Sequence, residues 1–125
     1  MASTIGEKVQ SADWKKEKHV PAITAPDEVK AGEWVKLKVK VGEEIAHPNT
    51  PEHHISWIQV YYVPDGGKFA WDLGRISFNS HDEGPVKAGS ASVFHFTAKE
   101  SGTINAVSYC NLHGLWESSR KLTVS

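Results

Sequence analysis

The sequence predicts an all-β protein, more narrowly an immunoglobulin-like β-sandwich with Greek-key connections, on three observations. Apolar residues recur with a period of two, most plainly where Val35, Leu37, Val39 and Val41 alternate with Lys36, Lys38 and Lys40. That is the pattern of a strand with one face on a core and the other in water. Several such short runs are separated by clusters of turn-forming residues, and no stretch of ten or more residues carries the helical period. Short strands at this spacing pack most readily as a sandwich.

Taken in order, residues 1–13 are polar and are expected to be the most mobile part, unless a partner subunit orders them. The first strand is expected over residues 35–41. Others follow at 55–63, 69–78, 92–97, 103–110 and 121–124, with turns at 64–67, 79–84 and 99–102. A chain of 125 residues suits a single domain, 1–125, that buries about two thirds of its unfolded surface without disulfide staples. There is no internal repeat or low-complexity tract. The first ten residues lack the apolar core of a signal peptide, and no segment approaches a membrane span. A cytoplasmic location is expected, and the unpaired Cys110 agrees with a reducing compartment. The net charge of −1 gives no reason to expect nucleic acid or a membrane surface as a partner.

The chemistry concentrates around the single cysteine. Residues 102–110 read as a strand ending in Cys110, and His113 follows at Cys-x-x-His spacing before Gly114. A thiolate and an imidazole so placed can reach one ion, with glycine allowing the tight turn. Ile104, Ala106 and Ser108 share the face of Cys110 and are small or apolar, as an inward-facing site requires. The chain holds seven histidines. His19 lies before Pro21, His47 before Pro48, and His53 and His54 are adjacent, all at strand ends or in loops. An extended backbone would point His53 and His54 to opposite sides, and periodicity does not choose between them, because residues 55–63 are apolar on both parities. His81 reads as a solvated loop residue and His95 as a strand histidine facing solvent. A structural zinc site would favour more cysteines, whereas many histidines with one thiolate suit iron or copper.

Three motifs extend this reading. Glu17-Lys18-His19-Val20-Pro21, His47-Pro48-Asn49-Thr50-x-Glu52-His53-His54-Ile55 and Ser108-Tyr109-Cys110-Asn111-x-His113-Gly114-Leu115-Trp116-Glu117 together resemble the superoxide reductases, specifically the short neelaredoxin type. The resemblance runs from Asp13 to Glu117, with the motifs in the family's order and spacing. The longer relatives, the desulfoferrodoxins, hold a second iron on four further cysteines, which this sequence does not contain.

The resemblance implies one iron ion per chain, with His19, His47, His53 and His113 as equatorial ligands and Cys110 as the axial one, His54 pointing away. It implies ligation through Nε2 for three of the rings and through Nδ1 for His113. It further implies one-electron reduction of superoxide to hydrogen peroxide, re-reduction by a donor such as rubredoxin, and a homotetramer. Glu17 matches the carboxylate that occupies the sixth iron position in the oxidised resting state, and Lys18 the cation that attracts superoxide. Taken without the resemblance, the same two residues are an ordinary solvated pair in a charged run.

Two other readings compete. A strand ending in Tyr109-Cys110-x-x-His113 also occurs in blue-copper electron carriers, but the one methionine is Met1 and Trp116 stands where an axial methionine is expected. An immunoglobulin-like binding module would use the five tryptophans as core and interface, and leaves the histidine clusters without a role.

Overall fold

The computed structural model describes residues 2–125. After a single helical turn, α1 (Ile5–Lys8), the chain forms β1 (Pro21–Thr24), β2 (Glu28–Val29), β3 (Val35–Val41), β4 (Ile55–Pro64), β5 (Trp71–Ser77), β6 (Ala91–Phe96), β7 (Gly102–Cys110) and β8 (Gly114–Val124). These make two sheets, one in the order β1-β3-β6 and the other β2-β8-β7-β4-β5. All pairings are antiparallel except β2 with β8. The connections after β3, β5 and β6 each cross from one sheet to the other, and β1 approaches β7 and β8 where the sheets close.

The core follows from strand alternation. In β3, Val35, Leu37, Val39 and Val41 are buried while Lys36 and Lys38 reach solvent. Facing them, β7 buries every second residue, from Gly102 through Ile104, Ala106 and Ser108 to Cys110. Strand β4 departs from strict alternation: Ile55 is buried at one end, then Ile58, Val60 and Tyr62 on the opposite parity. The register against β7 slips between Ile55 and Trp57, so an extra residue is accommodated there and the inward parity changes. This bulge lies beside Cys110, the partner of Ile55.

The strand expected over 121–124 begins seven residues earlier, at Gly114. Its inward positions hold Trp116, Ser118 and Arg120 before Leu122, so hydrophobic alternation is absent, and the strand exists because its backbone pairs with β7 along its length. Strands β1 and β2 are too short to show a period. Met1 lies outside the described residues. The rest of the polar amino-terminal segment is tied down at one point: the Gln10 amide donates to the Leu115 carbonyl (2.9 Å) and the Glu117 amide to that of Gln10 (2.8 Å). Among the described residues, no helix is long and apolar enough to cross a membrane.

Tyr62 joins the two layers. Its ring packs on Phe96 of the opposite sheet and its hydroxyl donates to the Glu100 carbonyl at 2.8 Å. Burial, with lesser contributions from the Asp65 and Glu100 carboxylates, raises its phenol above the ordinary value near 10. The unfolded chain therefore loses this proton first as pH rises. Tyr62 stabilises the fold below the ordinary tyrosine value, and that contribution is lost as pH rises through the folded value. Tyr62→Phe should cost about 1 kcal/mol at neutral pH and reduce the alkaline loss of stability, measured by urea unfolding at pH values from neutral to strongly alkaline.

Candidate metal centre

Three segments converge at one end of the sandwich. The first is the end of β7, where Cys110 is completely buried (0% exposed) on the face it shares with Ile104, Ala106 and Ser108. The free thiol thus sits at the bottom of the site. Gly114, with φ of 79°, reverses the chain into β8 directly after His113, which stands exposed at the rim.

The second segment carries His19, which is 6% exposed. Its carbonyl accepts a bond from the buried Ser108 hydroxyl (3.1 Å), which ties the segment to β7. Its ring lies parallel to Trp116, 4.8 Å between centroids. Glu17 fixes the ring's orientation: Oε1 accepts from His19 Nδ1 at 2.6 Å and from the His19 amide at 3.0 Å, leaving Nε2 for the site. Burial acts to raise the Glu17 carboxyl, but these hydrogen bonds to His19 outweigh it and hold the group below the usual value. Lys18, half-buried beside them, lies close enough for its charge to act on His47 and His53.

The third segment is the crossover from β3 to β4. It opens at Gly42, where φ is 85° and any Cβ would meet the His47 amide at 2.8 Å, so only glycine lets the loop fold back so closely. His47 Nδ1 donates to the Pro48 carbonyl at 2.7 Å, which turns Nε2 inward. The loop is then clipped to the turn after β7 by Asn111, whose Oδ1 accepts from the His54 amide (2.8 Å) and whose Nδ2 donates to the Glu52 carbonyl (2.9 Å).

The four rings form a closed cycle. Centroids of neighbours are 4.8 Å apart for His19–His47, 4.7 Å for His47–His53, 5.0 Å for His53–His113 and 4.9 Å for His113–His19, each pair nearly perpendicular. His19 faces His53 across the cycle at 6.2 Å. One ligand atom from each of His19, His47, His53 and Cys110 lies within 4.8 Å of the others. His113 presents Nδ1, 3.1 Å from His19 Nε2 and 3.8 Å from the Cys110 sulfur. Two imidazole nitrogens bound at right angles to one ion, at about 2 Å each, stand about 3 Å apart.

The residues fit a bound cation. Nε2 of His47 and of His53 is buried with no hydrogen-bond partner among the described residues, and leaving such atoms unpaired is costly. Burial pushes the His47 imidazole down to about 4 and lowers that of His53, with the neighbouring rings adding to the effect. His47 is therefore neutral near pH 7 and His53 is shifted toward the same form, the form whose lone pair can bind a metal. Four imidazoles and a thiolate exceed the tetrahedral set of structural zinc and match the donor preferences of iron or copper.

The remaining histidines divide. His54 turns away from the cycle, its Nδ1 donating to the Thr50 carbonyl at 2.9 Å and its ring stacked on His81. His95 is exposed on β6. His81 corrects the sequence-based expectation of a solvated loop residue: it is 5% exposed, with Asn49 Oδ1 and the Phe78 carbonyl against its two ring nitrogens. Its polar sequence neighbours hid this, because the contacts come from the distant segment around Asn49. Asn111, Ser108 and Trp116 also take part in building the site. Only their places within the Cys110 motif could have marked them.

The comparisons with known proteins agree with this geometry. The desulfoferrodoxin family model matches residues 11–119. The superoxide reductase of Pyrococcus abyssi is 51% identical over 114 residues, which is 91% of this chain and 95% of that protein. The neelaredoxin of Megalodesulfovibrio gigas is 46% identical, covering 92% of this chain and 94% of its own. The solved structure of the Archaeoglobus fulgidus superoxide reductase (neelaredoxin) in the reduced form superposes with a TM-score of 0.85 at 45% identity, over 94% of this chain and 99% of that one. The chain belongs to the desulfoferrodoxin family, among its superoxide reductases of the neelaredoxin type.

Proposed function

We propose that this protein is an oxidoreductase that reduces superoxide by one electron to hydrogen peroxide, with one iron ion held by His19, His47, His53, His113 and Cys110. The observation that carries the reading is the closed cycle of four imidazoles beside the buried Cys110 sulfur, in a chain whose relatives are named superoxide reductases. Bound iron supplies a one-electron couple whose oxidised state is favoured by thiolate donation, so that the electron is given readily to superoxide and poorly recovered from it.

The chain's own residues supply the rest. Glu17 and the Pro48 carbonyl hold His19 and His47 with Nε2 turned inward, so ring orientation does not have to be organised during the reaction. Lys18 is the cation whose field reaches the site, and on a chain of net charge −1 a local field must do the steering of an anionic substrate. Glu17, bonded to the outer nitrogen and amide of His19, is the carboxylate that would ligate the iron in its oxidised form, as the family resemblance implies. Converting superoxide to hydrogen peroxide consumes one electron and two protons, so turnover needs an outside one-electron donor. A small electron-transport protein such as rubredoxin fits that need, in a cytoplasmic setting where the Cys110 thiol stays reduced. The family's short members suggest a homotetramer, and the exposed Trp34, Phe69 and Trp71 offer apolar surface that such an assembly would cover.

Elemental analysis should find iron near one atom per chain, and the oxidised protein should show a broad sulfur-to-iron charge-transfer band. Cys110→Ser should remove that band and the reductase activity while the far-ultraviolet circular dichroism of the β-sandwich persists. Copper with an intense blue band in the unsubstituted protein would instead favour an electron carrier.

Stopped consumption separates a reductase from a dismutase. Reduced protein given excess superoxide should consume one equivalent and halt until a reductant is added. Sustained turnover with release of dioxygen and no reductant would sink the assignment.

Lys18 and Glu17 should separate under pulse radiolysis. Lys18→Ala should slow capture of superoxide by the reduced protein severalfold and flatten its dependence on ionic strength. Glu17→Ala should leave the salt dependence intact, yet shift the oxidised spectrum and let azide bind more easily. An unchanged rate and salt slope in Lys18→Ala would return Lys18 to the role of a solvated surface charge.

A further inference from the structure

His81 and His54 lie outside the ring cycle, and neither has a part in the reaction proposed above. Their geometry is nevertheless highly determined. The two rings stack at 3.6 Å between centroids and within 6° of parallel. His81 is almost fully buried, and both of its nitrogens meet oxygen acceptors: Nδ1 faces Asn49 Oδ1 at 2.8 Å and Nε2 faces the Phe78 carbonyl at 2.8 Å. Asn49 cannot flip to release its side of this arrangement, because its Nδ2 donates to the Ala88 carbonyl at 2.7 Å. His54 is held from its other edge by the Thr50 carbonyl.

The consequence lies in where these partners sit. Asn49 is two residues beyond His47, and His54 directly follows His53. Between them the loop is held by a local turn, in which the Thr50 and His53 backbones bond each other, and by Asn111, which grips Glu52 and His54 from the turn after β7. The Pro48 carbonyl orients the His47 ring from within the loop and Asn111 holds the loop's far end, but neither ties the His47 side of the turn to the His53 side, where the two buried, unpartnered nitrogens must aim at one point. His81, from the connection between β5 and β6, touches the loop on both sides of this turn, at Asn49 before it and at His54 after it.

We propose that His81 is a positioning residue for the metal centre: by stacking on His54 and holding Asn49, it clamps the loop that carries His47 and His53. The proposal rests on the reading of the ring cycle as an iron site. The clamp acts on both ligands at once, since Asn49 fixes the His47 side and His54 the His53 side. It also gives the non-ligand member of the adjacent pair a function, as the flat surface on which the clamp closes. Groups that hydrogen-bond a ligand directly are worth about 10–100-fold in metal affinity, and a clamp one contact further out is expected at the lower end of that range.

The test is the rate at which iron-loaded protein gives up Fe(II) to the chelator ferrozine, together with the oxidised charge-transfer band. His81→Ala and His54→Ala should each speed release about tenfold and broaden or shift the band. His54→Phe, which keeps a flat ring against His81, should restore release to within about twofold of the unsubstituted protein. The double variant His54→Ala/His81→Ala should be little worse than His81→Ala alone, because the two rings act as one unit. Leu122→Ala, a core truncation in β8 at the Gly102 end of β7, is the control for general loss of stability, and should leave release within about twofold. Unchanged release in both alanine variants, no rescue by phenylalanine, or equal acceleration in Leu122→Ala would overturn the clamp while leaving the iron site in place. Failure of the unsubstituted protein to take up iron at all would overturn the clamp and the site together.

Discussion

Two buried imidazole nitrogens without hydrogen-bond partners set the terms for this end of the molecule. Nε2 of His47 and of His53 would each cost free energy if left facing nothing, and burial opposes protonation of both rings, most strongly that of His47. The arrangement makes sense when a cation completes it. Everything nearby serves to hold lone pairs at a common point: Glu17 on the outer nitrogen of His19, the Pro48 carbonyl on that of His47, and Trp116 flat against the His19 ring. The site has the character of a preformed cage assembled from loops.

Loops can be this exact only if the sandwich gives them fixed points, and β7 is the strand that does so. Its inward face ends in Ser108 and Cys110, one tying down the His19 segment and the other supplying sulfur. The turn after it supplies Asn111, which binds the loop of His53 and His54, and then His113 itself. All three segments that carry candidate ligands therefore report to one central strand, paired on both sides by β4 and β8. The bulge in β4 at Ser56 belongs to the same construction, since it changes the inward parity beside Cys110, with Ile55 buried before it and Ile58, Val60 and Tyr62 after it.

The electrostatics are local in the same way. A chain with nearly balanced charge exerts little long-range pull on a small anion, so under the proposed function the run that places Lys18 beside Glu17 and His19 would matter more than the total. Glu17 is committed twice to His19, through the ring and through the backbone. Any excursion of that carboxylate toward the ring cycle would leave His19 without its outer partner, which couples the carboxylate's position to the orientation of one ligand.

How much of this was legible beforehand differs by element. Strands with strict alternation, β3 and β7, were readable because burial of one face imposes a period of two. The inward direction of Cys110 followed from Ile104, Ala106 and Ser108 on the same parity. Strand β8 was mostly invisible, since its inward positions carry tryptophan, serine and arginine and its pairing is a backbone property that side-chain pattern does not encode. The motifs around His19, His47 and Cys110 marked the candidate centre, because residue type and spacing limit which donors can reach one ion. Periodicity left the choice between His53 and His54 open, and only the family resemblance pointed to His53; neither revealed that His81 is buried rather than solvated, or that Asn49 and Asn111 brace the loop. Those facts depend on contacts between residues far apart in the chain. The sequence by itself determined the all-β class and the set of possible donors, whereas only the tertiary structure decided which donors converge and what holds them, because ring orientation is fixed by partners that other strands and loops bring into place.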